Sequence, residues 1–151
     1  MPTGRQEIEC DIPASSLMEV ILDFQSYPTF VPEVLKVEIV EKGPPVWEVR
    51  FHLKLIRPIQ YLLRLEQKNE YELHWSLIEG YFTSNNGHWI LKPTQSGTHL
   101  IYQIAMQMDT FLPKAISNSL VKYSMPATVK RFVEEARKRL DVPQKNVPND
   151  D

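Results

Sequence analysis

From Trp47 to Leu55 the chain alternates without a break. Trp47, Val49, Phe51, Leu53 and Leu55 are apolar, and Glu48, Arg50, His52 and Lys54 between them are charged or polar. A period of two held for nine residues demands an extended strand with one dry face and one wet face, which is how an antiparallel sheet covered on one side reads. The pattern returns in Tyr61, Leu63, Leu65 and Gln67, in Tyr71, Leu73, Trp75 and Leu77, and in Leu100, Tyr102, Ile104, Met106 and Met108. With Arg5–Asp11, Val34–Val40 and His88–Lys92, the count reaches about seven strands. Turn signals separate them at Lys42-Gly43-Pro44-Pro45, Asn85-Asn86-Gly87 and Ser96-Gly97.

Two stretches change period. Pro13 opens a short helix over Ala14–Phe24, with Leu17, Val20, Ile21 and Phe24 on one stripe. Ser26–Glu33, with two prolines, reads as an irregular turn or a single helical turn. Near the C-terminus, Ile116, Leu120, Tyr123, Ala127 and Val133 recur at helical spacing opposite a charged face, so a long helix is expected from Lys114 to Leu140. Pro126 falls inside that helix and predicts a kink there. Val142–Asp151 is polar and proline-broken and reads as a disordered tail, leaving residues 1–141 as one domain. A helix of about 40 Å needs an apolar surface to cover. The dry face of a curved antiparallel sheet is the available one, giving an α+β architecture in which the sheet grips the final helix.

Composition narrows the function. The 151 residues carry a net charge of −2 with 42% apolar side chains, a globular balance without the positive field of a nucleic-acid-binding surface. Cys10 is the single cysteine, which excludes an intrachain disulfide and fits a reducing, cytoplasmic setting. Neither a membrane-spanning run nor a secretory leader is expected.

Catalytic and cofactor motifs are missing. No nucleophile elbow, phosphate loop or dinucleotide fingerprint occurs among five glycines, and His52, His74, His88 and His99 show no metal-ligand spacing. Ser119 and Lys122 match a Ser-x-x-Lys string without its companion motifs, so helix surface is the better reading, and Cys10 reads as structural. Neither metal nor cofactor is expected.

The positions assigned to the inner sheet face are apolar, aromatic or amide, with no carboxylate or lysine among them. Such residues could form a solid core. One helix, however, does not readily fill a long concavity lined by so many large side chains, and buried tyrosine and tryptophan tips need polar partners. A cavity is therefore expected, lined by Trp47, Phe51, Trp75, Tyr102, Met106, Ile116, Leu120 and Tyr123. Phe30, Phe111 and Leu112 would gate it, and Pro126 would let the first part of the helix swing as a lid. Apolar loop tips at Phe30, Val31, Ile56, Ile59, Phe111 and Leu112, one of them flanked by Lys54, Arg57 and Arg64, suit transient contact with a membrane surface. Ile56, Leu62, Ile78, Ile90 and Ile101 on the outer face would suit a homodimer instead.

Ile12-Pro13-Ala14, Val20-Ile21-Leu22-Asp23 and Tyr27-Pro28-Thr29-Phe30-Val31-Pro32-Glu33-Val34 resemble the START-like, helix-grip superfamily, in its polyketide cyclase/dehydrase and coenzyme-Q-binding branch. Gly87–Pro93 with Gly97-Thr98 is similar to that branch's penultimate strand and turn, and Phe132–Leu140 to its terminal helix. The resemblance implies a cavity between sheet and helix for a lipid, quinone, sterol or polyketide-like molecule, and it transfers no catalytic residue. The expected function is binding or carriage of a small hydrophobic molecule. A cyclase or dehydratase working in the same cavity is the alternative and would need a titratable group inside it, with Glu66, Glu79 or a histidine as candidates. A third reading is a module that docks on protein or ribosome.

Overall fold

The computed structural model describes residues 3–54, 57–107 and 125–146. Its elements run β1 (Thr3–Cys10), α1 (Ala14–Leu22), a 3-10 turn (Phe24–Ser26), α2 (Tyr27–Phe30), β2 (Val34–Glu41), β3 (Val46–Lys54), β4 (Pro58–Asn69), β5 (Glu72–Gly80), β6 (Ser84–Thr94), β7 (Gly97–Gln107) and α3 (Met125–Asn146). The seven strands form one antiparallel sheet in the order β1-β7-β6-β5-β4-β3-β2. Register shifts in β2 against β3 and in β4 at Leu62/Leu63 bend it, as an extra residue on one strand must. The expected α+β helix-grip architecture is what the chain adopts.

Alternation sets the faces. Trp47, Val49 and Phe51 of β3, Leu63 and Leu65 of β4, Leu73 and Trp75 of β5, and Leu100 and Tyr102 of β7 are all buried on the concave side. The outer side carries exchanged charges, such as Arg50 with Glu79 and His52 with Glu38. Thr98 is fully buried, and its hydroxyl donates to the Ile12 carbonyl at 2.6 Å, joining the start of β7 to the chain leaving β1.

Helix α3 lays Val129, Phe132, Val133 and Ala136 into the concavity, the i, i+3, i+4, i+7 stripe of an amphipathic helix. Of the stripe read from sequence, Val133 takes part, while Ile116, Leu120 and Tyr123 lie outside the described residues. Phe132 meets Tyr27 and Phe30 edge-on, each with ring centroids 5.1 Å away, and meets Trp89 at 5.0 Å. Ion pairs flank these contacts: Arg131 with Glu33, Arg137 with Asp11 and Arg139 with Asp23. The helix thus closes on the N-terminal third of the chain as well as on the sheet.

The expectations about this helix fare differently. Pro126 is the second described residue of α3, and the stretch before it, where the expected kink would be seen, lies outside the described residues. The helix continues through Val142 to Asn146, past the point where a tail was expected to begin.

A further correction concerns Asn85-Asn86-Gly87, which lies within β6 and not in a turn. The chain reverses instead between Gly80 and Ser84. A Cβ on Gly87 would stand 2.5 Å from the Trp75 ring and 2.3 Å from the Gln103 carbonyl oxygen. Glycine is there because the indole crosses its backbone.

Candidate functional site

The sheet opens between β5 and β6. The two strands pair only from Glu72 with Ile90 to Trp75 with Gly87. Beyond that they part, because Tyr81 N–H donates to the Gln60 carbonyl at 3.0 Å while Thr83 N–H donates to the Gln107 carbonyl at 2.8 Å. One side of the connection follows β4 and the other follows β7. Phe82 between them folds inward and packs on Ile59, Tyr61 and Met106.

This parting, with the concave sheet and α3, bounds a cavity of about 200 Å³ that is partly open to the outside. Phe51, Trp75, Tyr102 and Met106, four of the residues named from sequence, line it. Leu63, Leu65, Leu73 and Ile104 extend the apolar wall, and Trp89 and Phe132 close it on the α3 side. Tyr27 and Val31 stand at the α2 end.

Other expected residues are placed differently. Trp47 is buried but packs edge-on against Phe24 of the 3-10 turn at 5.5 Å and is not in the cavity lining. Phe30 is held between Tyr27 and Phe132 and is not part of the wall. Ile116, Leu120, Tyr123, Phe111 and Leu112 lie outside the described residues, as does Ile56. Ile59 is no exposed tip: it is 8% exposed, in the small cluster with Phe82. On the outer face Leu62 and Ile101 are buried, which removes them from a docking patch, whereas Ile78 is exposed.

The polar groups facing this space are few. Trp75 Nε1–H donates to Asn85 Oδ1 at 3.0 Å, and Asn85 is 3% exposed. Tyr102 is buried and Tyr61 half-buried, and desolvation pushes both phenols well above 10; Tyr61 also feels the charge that Tyr102 would carry. Both hydroxyls therefore stay protonated. Tyr27 is likewise raised by burial and donates to the Ile21 carbonyl at 2.5 Å. Glu33 is the one carboxylate among the described lining residues, on the turn after α2, with Arg131 Nη1 at 3.1 Å from its Oε1. It comes from a turn at the rim, so the inner sheet face keeps no carboxylate among the described lining residues.

The titratable groups proposed from sequence are elsewhere. Glu66 faces out between Arg64 and Lys68, whose hydrogen bonds hold its carboxyl below the usual 4.5. Glu79 is bonded to Arg50. His74 and His88 face each other across β5 and β6 with ring centroids 5.2 Å apart, His52 pairs with Glu38, and His99 sits between Glu7 and Glu9. None lines the cavity. Among the described residues no group of three or more metal-ligating side chains occurs, and no helix is long and apolar enough to cross a membrane.

Sequence reasoning missed Asn85 and Glu33. Asn85 was hidden by a turn-like composition, and Glu33 by its place just outside a strand. The usable signal for Asn85 was its spacing: two residues before Gly87, it falls on the same face as Trp89 and Leu91.

Against known sequences, residues 10–133 match the family model described as "Polyketide cyclase / dehydrase and lipid transport". The chain belongs to this family. No curated protein matches it significantly in sequence. Among solved structures it is similar to the Zhui aromatase/cyclase of Streptomyces sp. R1128, with a TM-score of 0.80 at 17% identity over 91% of this chain and 94% of that one. It is equally similar to a START superfamily protein from Mycobacterium smegmatis, with a TM-score of 0.80 at 15% identity over 90% and 97%. A STAR-related lipid transfer protein from Xanthomonas axonopodis gives 0.73 at 16% identity over 88% and 84%. At these identities the structural likeness establishes the helix-grip fold of the family and leaves activity open.

Proposed function

We propose that the protein binds and carries a small, largely apolar molecule in the cavity between sheet and α3. The observation that carries this reading is the cavity itself: aromatic and aliphatic walls around about 200 Å³ of space among the described residues. An apolar protein cavity of about 150 Å³ holds benzene, so this one suits a ring with short substituents, and its open side lets a longer molecule extend outward. Family membership supports the same reading, since its description includes lipid transport.

Carriage is favoured over catalysis by the character of the lining. Its phenols are held protonated, and its one described carboxylate is engaged by Arg131. General acid–base chemistry needs a group poised near neutral pH within reach of the substrate. A cyclase remains the second reading because a solved neighbour is an aromatase/cyclase and Glu33 stands at the rim.

The test is native mass spectrometry of freshly purified protein, followed by organic extraction. A neutral adduct extractable into organic solvent is expected. Protein that carries no adduct, and whose Trp75 and Trp89 fluorescence ignores added apolar compounds, would refute the reading.

A further inference from the structure

Asn85 carries an amide that the fold satisfies only by half. Indole Nε1–H can only donate, so the contact with Trp75 at 3.0 Å fixes which end of the amide is oxygen. The NH2 end then points away from Trp75, and it has no hydrogen-bond partner among the described residues. Asn85 is 97% buried by its 3% exposure and belongs to the cavity wall. The parting of β5 and β6 beyond Trp75 and Gly87 leaves this amide facing open space. The donor is reachable from that space, since the unpaired side-chain atoms shut off from solvent among the described residues are Gln6 Oε1 and Ser84 Oγ; a ligand that fills the space without accepting from Asn85 would strand the donor at a cost.

The neighbouring groups sharpen the inference. Tyr61 and Tyr102 hydroxyls, also without a hydrogen-bond partner among the described residues, line the same space. A hydroxyl can donate or accept, so by itself it does not choose the ligand's polarity. An amide NH2 only donates. No lysine, arginine or histidine occurs among the described lining residues, so the wall offers dipoles and no cation to match an anion.

Resting on the carriage reading above, we infer that Asn85 is the specificity-determining residue of the cavity. It selects neutral, mainly apolar ligands that present an oxygen acceptor, a ketone, quinone or ether oxygen, which accepts the Asn85 Nδ2–H bond. Trp75 acts through Asn85 as a positioning residue: its indole holds the amide in the one orientation that turns the donor inward. Gly87 belongs to the same device, since only a residue without a side chain lets the indole lie where it reaches Asn85.

Two probes of nearly the same shape separate this inference from simple hydrophobic fit. Acetophenone has a carbonyl oxygen where α-methylstyrene has a methylene. The two differ in hydration, so the readout is how their affinity ratio changes between wild type and Asn85→Leu, where hydration cancels. The ratio is expected to move against acetophenone by roughly tenfold or more in the variant. Because Asn85→Leu strands the Trp75 N–H and can impair folding, infrared spectroscopy of acetophenone on the wild-type protein supplies an independent readout. Its carbonyl stretch should lie below the value in hexane. A band at the hexane position, or one equally lowered in a folded Asn85→Leu protein, overturns the inference. An unchanged affinity ratio with both probes bound also overturns it, showing that water satisfies the amide while carriage stands. Failure of both probes to bind wild type would remove the carriage reading and this inference with it.

Discussion

Arg131 reaches from α3 to Glu33 at the cavity rim, Nη1 to Oε1 at 3.1 Å, with both side chains about one-third exposed. The pair joins the last helix to the turn between α2 and β2, so it holds together two of the parts that enclose the space. Partly solvated ion pairs contribute little each. Arg131→Met should destabilise by about 0.5–1 kcal/mol, and Glu33→Gln in the same background should add almost nothing. Thermal melts of the single and double variants check this: two independent, additive losses would show that the residues do not act as a pair.

Phe132 carries a larger share of the closure. It is 3% exposed and touches the rings of Tyr27, Phe30 and Trp89. Phe132→Ala removes the aromatic that pins α3 over the sheet, and about 3–5 kcal/mol of stability should go with it. Urea unfolding followed by far-UV circular dichroism measures the loss. A change below about 1 kcal/mol would contradict the packing described.

Gly87 tests how the Trp75 indole is held. An alanine Cβ there meets the Gln103 carbonyl oxygen as well as the indole, and a backbone atom in a central strand cannot step aside cheaply. Gly87→Ala should cost about 1–3 kcal/mol and shift tryptophan emission, because the indole must leave Asn85. Unaltered emission would place the indole elsewhere.

These residues also show what was and was not legible in the chain. Strand number, antiparallel pairing and the inner-face positions of Phe51, Trp75, Tyr102 and Met106 followed from period-two alternation, because burial on one face leaves that mark in sequence. Trp47 obeys the same alternation but packs against Phe24 of the 3-10 turn. Periodicity assigns a face, not a position along the strand, so it cannot separate cavity wall from solid core. Asn85 and Gly87 were misread for a related reason. Turn propensity is local, while the cause of both residues is Trp75 on the neighbouring strand.

The outer-face histidines should titrate in opposite senses. Hydrogen bonds donated by its ring to Glu7 and then Glu9 raise His99 above its ordinary 6.5, whereas burial and then the neighbouring His74 lower His88 below 6.5. Imidazole proton NMR across pH should show His88 losing its proton first as pH rises. His99, clasping β1 to β7, binds its proton more tightly in the folded chain. Its stabilisation is therefore complete below about pH 6.5 and disappears as pH climbs through the raised value. His99→Gln should lower the Tm more near about pH 6 than near about pH 8.5, and an equal loss at both would contradict the clasp.

The most direct measurement is calorimetric titration with acetophenone of the wild-type protein and of Ile104→Phe, whose larger ring would occupy the space that Ile104 borders. Wild type should bind with a negative heat-capacity change, and the filled variant should fold with an undiminished Tm yet bind no detectable probe. Wild type that binds nothing, or a folded Ile104→Phe that binds as well as wild type, would contradict a ligand site beneath α3.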